Sequence, residues 1–323
     1  MGAAGSTALG PGELGPAERR AAWISVGNAI DGPYRLPVIS IRGAQPGPTV
    51  VIVAGQHGGE GYGVLSLLKL LDAIDPAALV GELRAVPCMN IDAFVSGTHT
   101  SPFDHQDMNR VHPGHPGGTR TEQIAHALFS ELIQGADLVL DLHGGSPELG
   151  NIPLCRWMDG EERPSIRGIA EQLGILYIAA PSDRKIPGML SVALRDVGIP
   201  SISIEVGSSL AYAGANADEM AGYARRVLAH MSMLPEEPLS PGQTVYVRMW
   251  GVRAQVGGVY EPMVALGQQV QRGQVLGLVR NLLGQIVQHV EAGEDGTVGV
   301  LRTGVRVSPG ESLIWLLVPV PAP

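Results

Sequence analysis

The sequence has little cysteine, little lysine and no long apolar run. Its two cysteines, Cys88 and Cys155, lie far apart and outside any C-x-x-C spacing, so we expect a reduced, cytoplasmic protein in which neither thiol needs a role beyond packing. No apolar run approaches the roughly 18 residues that a helix needs to cross a bilayer, which argues against a membrane span. The net charge is −9 and no basic cluster occurs, which argues against nucleic acid as a partner.

The chain is predicted to be a tail followed by two domains. Residues 1–20 are rich in Gly, Ala and Pro without an apolar segment, so we expect a flexible tail and not a secretory signal. Between residues 21 and 238, apolar strands alternate with amphipathic helices, which predicts an α/β domain whose sheet is covered by helices on both faces. Residues 239–323 follow a proline-rich linker, lose the helical period and contain many turn glycines, which predicts a small all-β domain.

Three local features are predicted within the first domain. Residues 22–42 form alternating segments around a Gly-Pro turn, which predicts a hairpin leading into the sheet. Thr121 is predicted to cap a helix, because acidic and polar residues follow it and apolar residues then recur at helical spacing. Residues 144–163 are predicted to be a loop, and Pro164 is predicted to open the next helix.

Two strand ends carry residues with the chemistry of metal ligands. The β-branched, uncharged run at 49–54 is typical of a central strand, and His57 and Glu60 follow it at an H-x-x-E spacing among glycines that let the side chains converge. The segment 137–145 repeats this pattern, since an apolar strand ends in His143 and two glycines. Two imidazoles and a carboxylate form the ligand set of a His2Glu catalytic zinc site, so the sequence predicts zinc on these three residues.

Further polar residues accompany these ligands. Glu205 is a single carboxylate in an apolar strand, so it either meets a cation or points into a cleft; it is a candidate general base, with a structural salt bridge as the alternative. Asn109 and Arg110 are adjacent in a long loop and can grip a substrate carboxylate, unless Arg110 is a plain surface arginine. Asp141 shares a strand face with His143 and either orients its imidazole or is a simple polar residue.

In combination, these motifs resemble the succinylglutamate desuccinylase/aspartoacylase family, an amidohydrolase branch of the zinc carboxypeptidase clan. The resemblance rests on four segments that occur in the family's order: 55–60, 107–110, 141–143 and 204–207. It implies a mixed-sheet α/β domain, one zinc ion per chain on the three ligands named above, and Glu205 as general base. It also implies that Arg110, helped by Asn109, binds the carboxylate of a small N-acyl amino acid whose amide bond is cleaved.

Three positions depart from the family's pattern. His99 stands where the family usually has an arginine that polarises the scissile carbonyl, so His99 is a candidate substrate-binding residue in its place. His112 stands where phenylalanine is common, and Gly144 where serine is usual. His112 also forms an H-x-x-H pair with His115, but prolines and a glycine interrupt it, so no second metal is predicted there.

Several questions stay open at this level. A zinc carboxypeptidase acting on peptides and a ligand-binding member of the fold with weak catalysis are the alternatives to a deacylase. A second substrate carboxylate has three candidate partners, which are Arg156, Arg184 and Arg195. A homo-oligomer is one option for an oligomeric state that the sequence does not determine.

The C-terminal domain resembles the barrel-sandwich fold of biotinyl and lipoyl carriers. Residues 264–277 have the spacing of the first hairpin of that fold, and residues 291–296 match its later turn. Carriers attach their cofactor through a lysine at a hairpin tip, and no lysine follows Lys185 in this chain. The domain therefore cannot carry biotin or lipoate by this chemistry, and the family resemblance implies that it shapes the entrance of the active site.

Overall fold

The computed structural model describes residues 14–30, 32–160, 165–179, 186–207, 213–240 and 242–323. The strands in these residues are β1 Glu18–Ala29, β2 Gly32–Arg42, β3 Gln45–Ala54, β4 Val80–Val86, β5 Leu138–Gly144, β6 Leu149–Met158, β7 Tyr177–Ala179, β8 Ser201–Gly207, β9 Val245–Arg253, β10 Gly258–Pro262, β11 Gln269–Val270, β12 Val275–Arg280, β13 Ile286–Glu291, β14 Gly296–Arg302, β15 Arg306–Val307 and β16 Ser312–Pro319.

Helices connect most of the strands of the first domain. They are α1 Gly61–Asp72, α2 Ile91–Ser96, α3 Arg120–Ala127, α4 Arg167–Glu171, α5 Leu190–Asp196 and α6 Ala213–His230, with a 3₁₀ turn at Met108–Arg110 and a π-helical turn at Leu128–Ile133. Within the described ranges, every helix is too short or too polar to cross a bilayer.

In the described residues, twelve strands form one mixed sheet in the order β1-β2-β4-β3-β5-β8-β6-β7-β9-β16-β14-β11. Strands β4, β3, β5 and β8 are parallel neighbours, and β6 runs antiparallel to β8. Val50 and Ile52 of β3 pack in one core with α1 and α6, whereas Val51 and Val53 pack in another with α3 and α5. Successive residues of a strand face opposite sides, so the predicted coverage of both faces is confirmed.

The N-terminal predictions are confirmed in part. Strands β1 and β2 form the predicted antiparallel hairpin. Strand β1 begins at Glu18, so the last residues of the predicted 1–20 tail belong to the sheet, and residues 1–13 lie outside the described part. The prediction of Thr121 as a helix cap is wrong. Thr119 caps α3 in a capping box with Glu122, and the Thr121 hydroxyl instead donates to Asp104 Oδ1 at 2.8 Å.

Strand β6, Leu149–Met158, replaces half of the loop predicted at residues 144–163, so that prediction is wrong for this part. Residues 151–158 pair with β8, and residues 149–151 pair with β14 of the C-terminal domain. These partners lie far along the chain, and the segment has no regular apolar alternation that would mark a strand locally. Helix α4 begins at Arg167, while the predicted start at Pro164 lies outside the described residues.

The C-terminal domain is rich in β structure and continues the central sheet. Strand β9 pairs in parallel with β7, and β14 pairs with both β16 and β6. A second sheet, in the order β13-β12-β10-β15, packs on these strands over an apolar core that includes Tyr260, Leu276 and Leu313. Strands on the two sides of residues 238 and 239 are hydrogen-bonded to one another, so the division of the chain at this point stays a prediction.

Candidate functional site

The candidate site lies beyond the carboxyl ends of β3, β5 and β8, where open α/β sheets commonly bind ligands. The chain turns out of β3 at Gly55, whose φ of 68° favours glycine, and reaches His57 two residues later. His143 at the end of β5 lies in register with Glu205 of β8. Paired residues on neighbouring strands project from the same face, so these two side chains lie side by side.

The three predicted metal ligands meet at the carboxylate of Glu60. Glu60 Oε1 lies 2.8 Å from His57 Nδ1, and Glu60 Oε2 lies 2.9 Å from His143 Nδ1. All three residues are at most 9% exposed. The structure therefore brings together two imidazole nitrogens and a carboxylate from two separate strand ends.

The Nε2 atom of each imidazole, which is not the atom that contacts Glu60, lies against a further carboxylate. Asp107 Oδ1 lies 3.1 Å from His57 Nε2, and Asp141 Oδ2 lies 2.8 Å from His143 Nε2. Such contacts fix the orientation of a ligating imidazole and raise its basicity. Of the two environments considered for Asp141, the structure shows contact with the His143 imidazole, and Asp107 contacts His57 in the same way.

The charges around the two imidazoles favour a cation at this point. Burial opposes protonation of His57, but the Glu60 and Asp107 carboxylates outweigh it and raise the pKa of His57 to about 9. Burial also opposes protonation of His143, yet Asp141 and Glu60 hold its pKa well above the usual range. A divalent cation satisfies the same negative surroundings, and two imidazoles with one carboxylate are a zinc ligand set, so the residues fit zinc.

His99 lies directly against the candidate metal cluster, which consists of His57, Glu60 and His143. Its ring stacks on that of His57 with centroids 3.8 Å apart and planes 17° from parallel, and the ligand atoms of His57, Glu60 and His99 lie within 4.8 Å of one another. An imidazole lone pair lies in the plane of its ring, so two nearly parallel stacked rings cannot both point at one ion. This geometry favours His143 over His99 as the third ligand. The His99 side chain is 58% exposed, which leaves it accessible to a substrate.

Gln56 connects the cluster to the buried His112. Gln56 Nε2 donates to Asp141 Oδ2 at 2.7 Å, and Gln56 Oε1 lies 3.1 Å from His112 Nε2. Burial lowers the pKa of His112 to about 4, so the ring is neutral at pH 7 and its Nε2–H can donate to Gln56. His115 instead accepts a hydrogen bond from the Gly117 amide at 3.1 Å. The two histidines of the H-x-x-H pair thus have different partners.

Glu205 pairs with a cation, which is one of its two predicted environments. Its carboxylate, 17% exposed, lies 2.9 Å from the Arg156 guanidinium and accepts a hydrogen bond of 3.2 Å from Asn151 Nδ2. Both partners belong to β6. Of the other two arginines considered for a second substrate carboxylate, Arg195 pairs with its neighbour Asp196, and Arg184 lies outside the described residues.

Asn109 and Arg110 lie beside the cluster and differ in their exposure to solvent. The buried Asn109 accepts a hydrogen bond from the Leu190 amide at 2.9 Å through Oδ1, which ties the long loop to the start of α5. The Arg110 side chain is 46% exposed, and its Nη1 lies 3.8 Å from Asp107 Oδ2. Arg110 is therefore accessible to an anion, whereas Asn109 has a structural bond.

Residues 46–231 match the family model of the succinylglutamate desuccinylase/aspartoacylase catalytic domain. The chain belongs to this family. N-alpha-acetyl-L-2,4-diaminobutyric acid deacetylase of Halomonas elongata is 29% identical over 297 residues, which cover 87% of this chain and 85% of that protein.

Solved structures of similar proteins share the fold. The product-bound ectoine utilization protein EutE (DoeB) from Ruegeria pomeroyi superposes with a TM-score of 0.83 at 25% identity, covering 94% of this chain and 97% of that one. A succinylglutamate desuccinylase/aspartoacylase from Rhodobacter sphaeroides superposes with a TM-score of 0.82 at 23% identity, covering 94% and 96% of the two chains. The second comparison supports the mixed-sheet α/β fold alone.

The family motifs do not mark every residue that contacts the cluster of this desuccinylase/aspartoacylase family member. Asp107 and Gln56 lie within the motif segments 107–110 and 55–60, but they were assigned no role from the sequence. Their polar side chains, next to candidate ligands in the sequence, are the signal that could have identified them. Asn151 was missed, and Arg156 was considered only as a partner of a second substrate carboxylate, because their strand was predicted as a loop. Only the pairing of β6 with β8 brings them to Glu205.

Proposed function

We propose that the protein is a zinc-dependent deacylase that hydrolyses the amide bond of a small N-acyl amino acid. The convergence of His57 and His143 on Glu60, with Glu205 in register on the next strand, carries this proposal. Membership of the family and the similarity to a protein named as an N-acetyl amino acid deacetylase support the substrate class.

In the proposed reaction, His57, Glu60 and His143 hold one zinc ion per chain. When bound, zinc supplies a Lewis acid that activates water and polarises the scissile carbonyl. Glu205 accepts a proton from the attacking water and delivers it to the leaving amine nitrogen. Arg156 and Asn151 hold the Glu205 carboxylate in place during this transfer.

The substrate is positioned by residues on the long loop. Arg110, with its accessible guanidinium, pairs with the substrate carboxylate, and Asn109 fixes the backbone from which Arg110 projects. His99 lies at the exposed side of His57, where it can donate to the carbonyl oxygen in place of an arginine.

Further parts of the proposal concern the surroundings of the site. The C-terminal domain has a barrel-sandwich-like arrangement and shapes the entrance, which is supported by the pairing of β14 with β6 next to Asn151. A cytoplasmic location remains a prediction of the sequence, and a homo-oligomer remains one option for the oligomeric state.

A substrate panel and metal analysis together test the function. Purified protein is expected to contain one zinc per chain and to release amine from acetylated or succinylated amino acids. His57→Ala should lose the zinc, whereas His115→Ala, which changes an exposed histidine outside the cluster, should keep it. Cleavage of peptides alone would instead identify a carboxypeptidase. Full zinc content without any hydrolysis would identify a ligand-binding protein.

A further inference from the structure

We propose that Arg302 of the C-terminal domain is a positioning residue of the active site, because it anchors the turn formed by residues 145–149. This segment, called the site turn below, joins β5 with its ligand His143 to β6 with both partners of Glu205. The inference rests on the proposed deacylase function for its effect on rate. The anchoring itself is a property of the fold and can be measured separately.

Arg302 is a buried cation with two carboxylate partners. Its side chain is 4% exposed, and its Nη2 lies 2.8 Å from Glu148 Oε2 and 3.2 Å from Glu311 Oε2. The same guanidinium donates to the Arg306 carbonyl at 2.8 Å. A buried charge is costly unless it is paired, so the guanidinium holds its partners firmly in place.

The two carboxylates belong to different parts of the molecule. Glu311 lies in the C-terminal domain, where it also accepts a hydrogen bond from the Ser308 amide at 2.7 Å. Glu148 lies in the site turn, and its carbonyl accepts a hydrogen bond from the Thr303 amide at 2.8 Å. Backbone and side chain of Glu148 are thus both bound to the end of β14.

The site turn also packs on the ligand loop, which is the segment 55–60 that carries His57 and Glu60. A Cβ on Gly59 would lie 2.7 Å from Pro147 Cδ, so the backbone between His57 and Glu60 lies directly against the site turn. At the other end of the turn, Asn151 pairs in register with Val300 of β14 and donates to Glu205. A displaced site turn would therefore move both the ligand loop and the carboxylate predicted to transfer the proton.

A matched pair of variants separates anchoring from general stability. Glu148→Gln and Glu311→Gln each remove one carboxylate from the same guanidinium, and both side chains are partly exposed, at 45% and 37%. Only Glu148 lies in the site turn. Glu148 also lies 3.6 Å from the guanidinium of Arg306, but that side chain is 78% exposed and the pair contributes little. Both variants should therefore lose comparable stability, but only Glu148→Gln should loosen the turn.

Hydrogen–deuterium exchange and steady-state kinetics are the two readouts. In Glu148→Gln we expect exchange of the 145–149 amides to rise about tenfold and kcat to fall about tenfold with KM within about twofold, because misplaced groups slow the chemical step more than binding. Glu311→Gln should leave both quantities within about twofold of the unchanged protein. Glu148→Asp, which keeps the charge, should recover part of kcat.

Two results would overturn the proposal. If exchange in the site turn stays the same in Glu148→Gln, Arg302 does not anchor it. If exchange and kcat change equally in Glu148→Gln and Glu311→Gln, Arg302 acts on the stability of the C-terminal domain and not on the site. If the unchanged protein hydrolyses no N-acyl amino acid, the proposed function fails, while the exchange comparison still decides whether Arg302 anchors the turn.

Discussion

Replacing Asp141 by Asn would remove a charge from the cluster while keeping its shape. In the structure, Asp141 Oδ2 accepts from Gln56 Nε2 at 2.7 Å and lies 2.8 Å from His143 Nε2. The amide oxygen of asparagine can accept from the same two groups. The variant therefore tests the negative charge behind His143 rather than the packing of the strand.

The expected loss is in zinc affinity. Partners of this kind contribute about 10- to 100-fold to metal affinity, which corresponds to about 1.4–2.7 kcal/mol. Asp141 is 4% exposed, so solvent screens its charge little and we expect a value toward the upper end of that range. The thermal unfolding of the zinc-free protein should change much less than the affinity.

Competition with a chelating fluorescent zinc indicator measures the affinity directly. Asp137→Asn is the matched control, because Asp137 lies next to the opposite end of the same strand, where it accepts a hydrogen bond from the Thr49 amide at 2.8 Å. We expect the control to bind zinc as the unchanged protein does. If Asp141→Asn also binds zinc within about twofold of the unchanged protein, the role given to this carboxylate is wrong.

Three further substitutions test the base, the substrate contact and the core. Glu205→Gln should keep stoichiometric zinc by metal analysis and lower kcat by about 10²- to 10⁴-fold; an unchanged kcat would remove Glu205 from the reaction. Arg110→Met should raise KM by roughly 10- to 100-fold with little change in kcat, and an unaltered KM would leave Arg110 a surface residue. Ile52→Ala, at a fully buried position, should lower the free energy of unfolding in urea by about 2–5 kcal/mol. Leu282→Ala, at a side chain 93% exposed, is its control and should change that free energy by less than about 0.5 kcal/mol.

The stacking of His99 on His57 bears on the departure from the family pattern. The His99 ring contacts the cluster, but it is nearly parallel to the His57 ring and mostly exposed. This exposure supports the proposed place of His99 on the substrate side. Its exposure means that His99→Ala can be made without opening a buried cavity.

The candidate metal ligands were accessible to sequence reasoning because their signals are local. A β-branched run followed by glycines predicts a central strand and the turn after it, and parallel strands bring their carboxyl ends to one edge. The alternation of amphipathic helices with strands was predicted for a similar reason, since an apolar stripe at helical spacing, as in α1 and α6, depends on neighbours a few residues away. The cap of α3 was predicted two residues late, although the T-x-x-E pattern of its capping box is also local.

The amino-acid sequence by itself determined which side chains gather at the strand ends, because each is tied to a short strand and turn whose conformation depends on its own residues. Tertiary structure alone decided what Glu205 contacts and how the C-terminal domain joins the site. Strand β6 has little preference of its own and becomes a strand by pairing with β8 and β14, from distant parts of the chain. Its sequence lacks the regular alternation that marks a strand locally, so Arg156 and Asn151 reach Glu205, and Arg302 reaches the site turn, only once the whole sheet has formed.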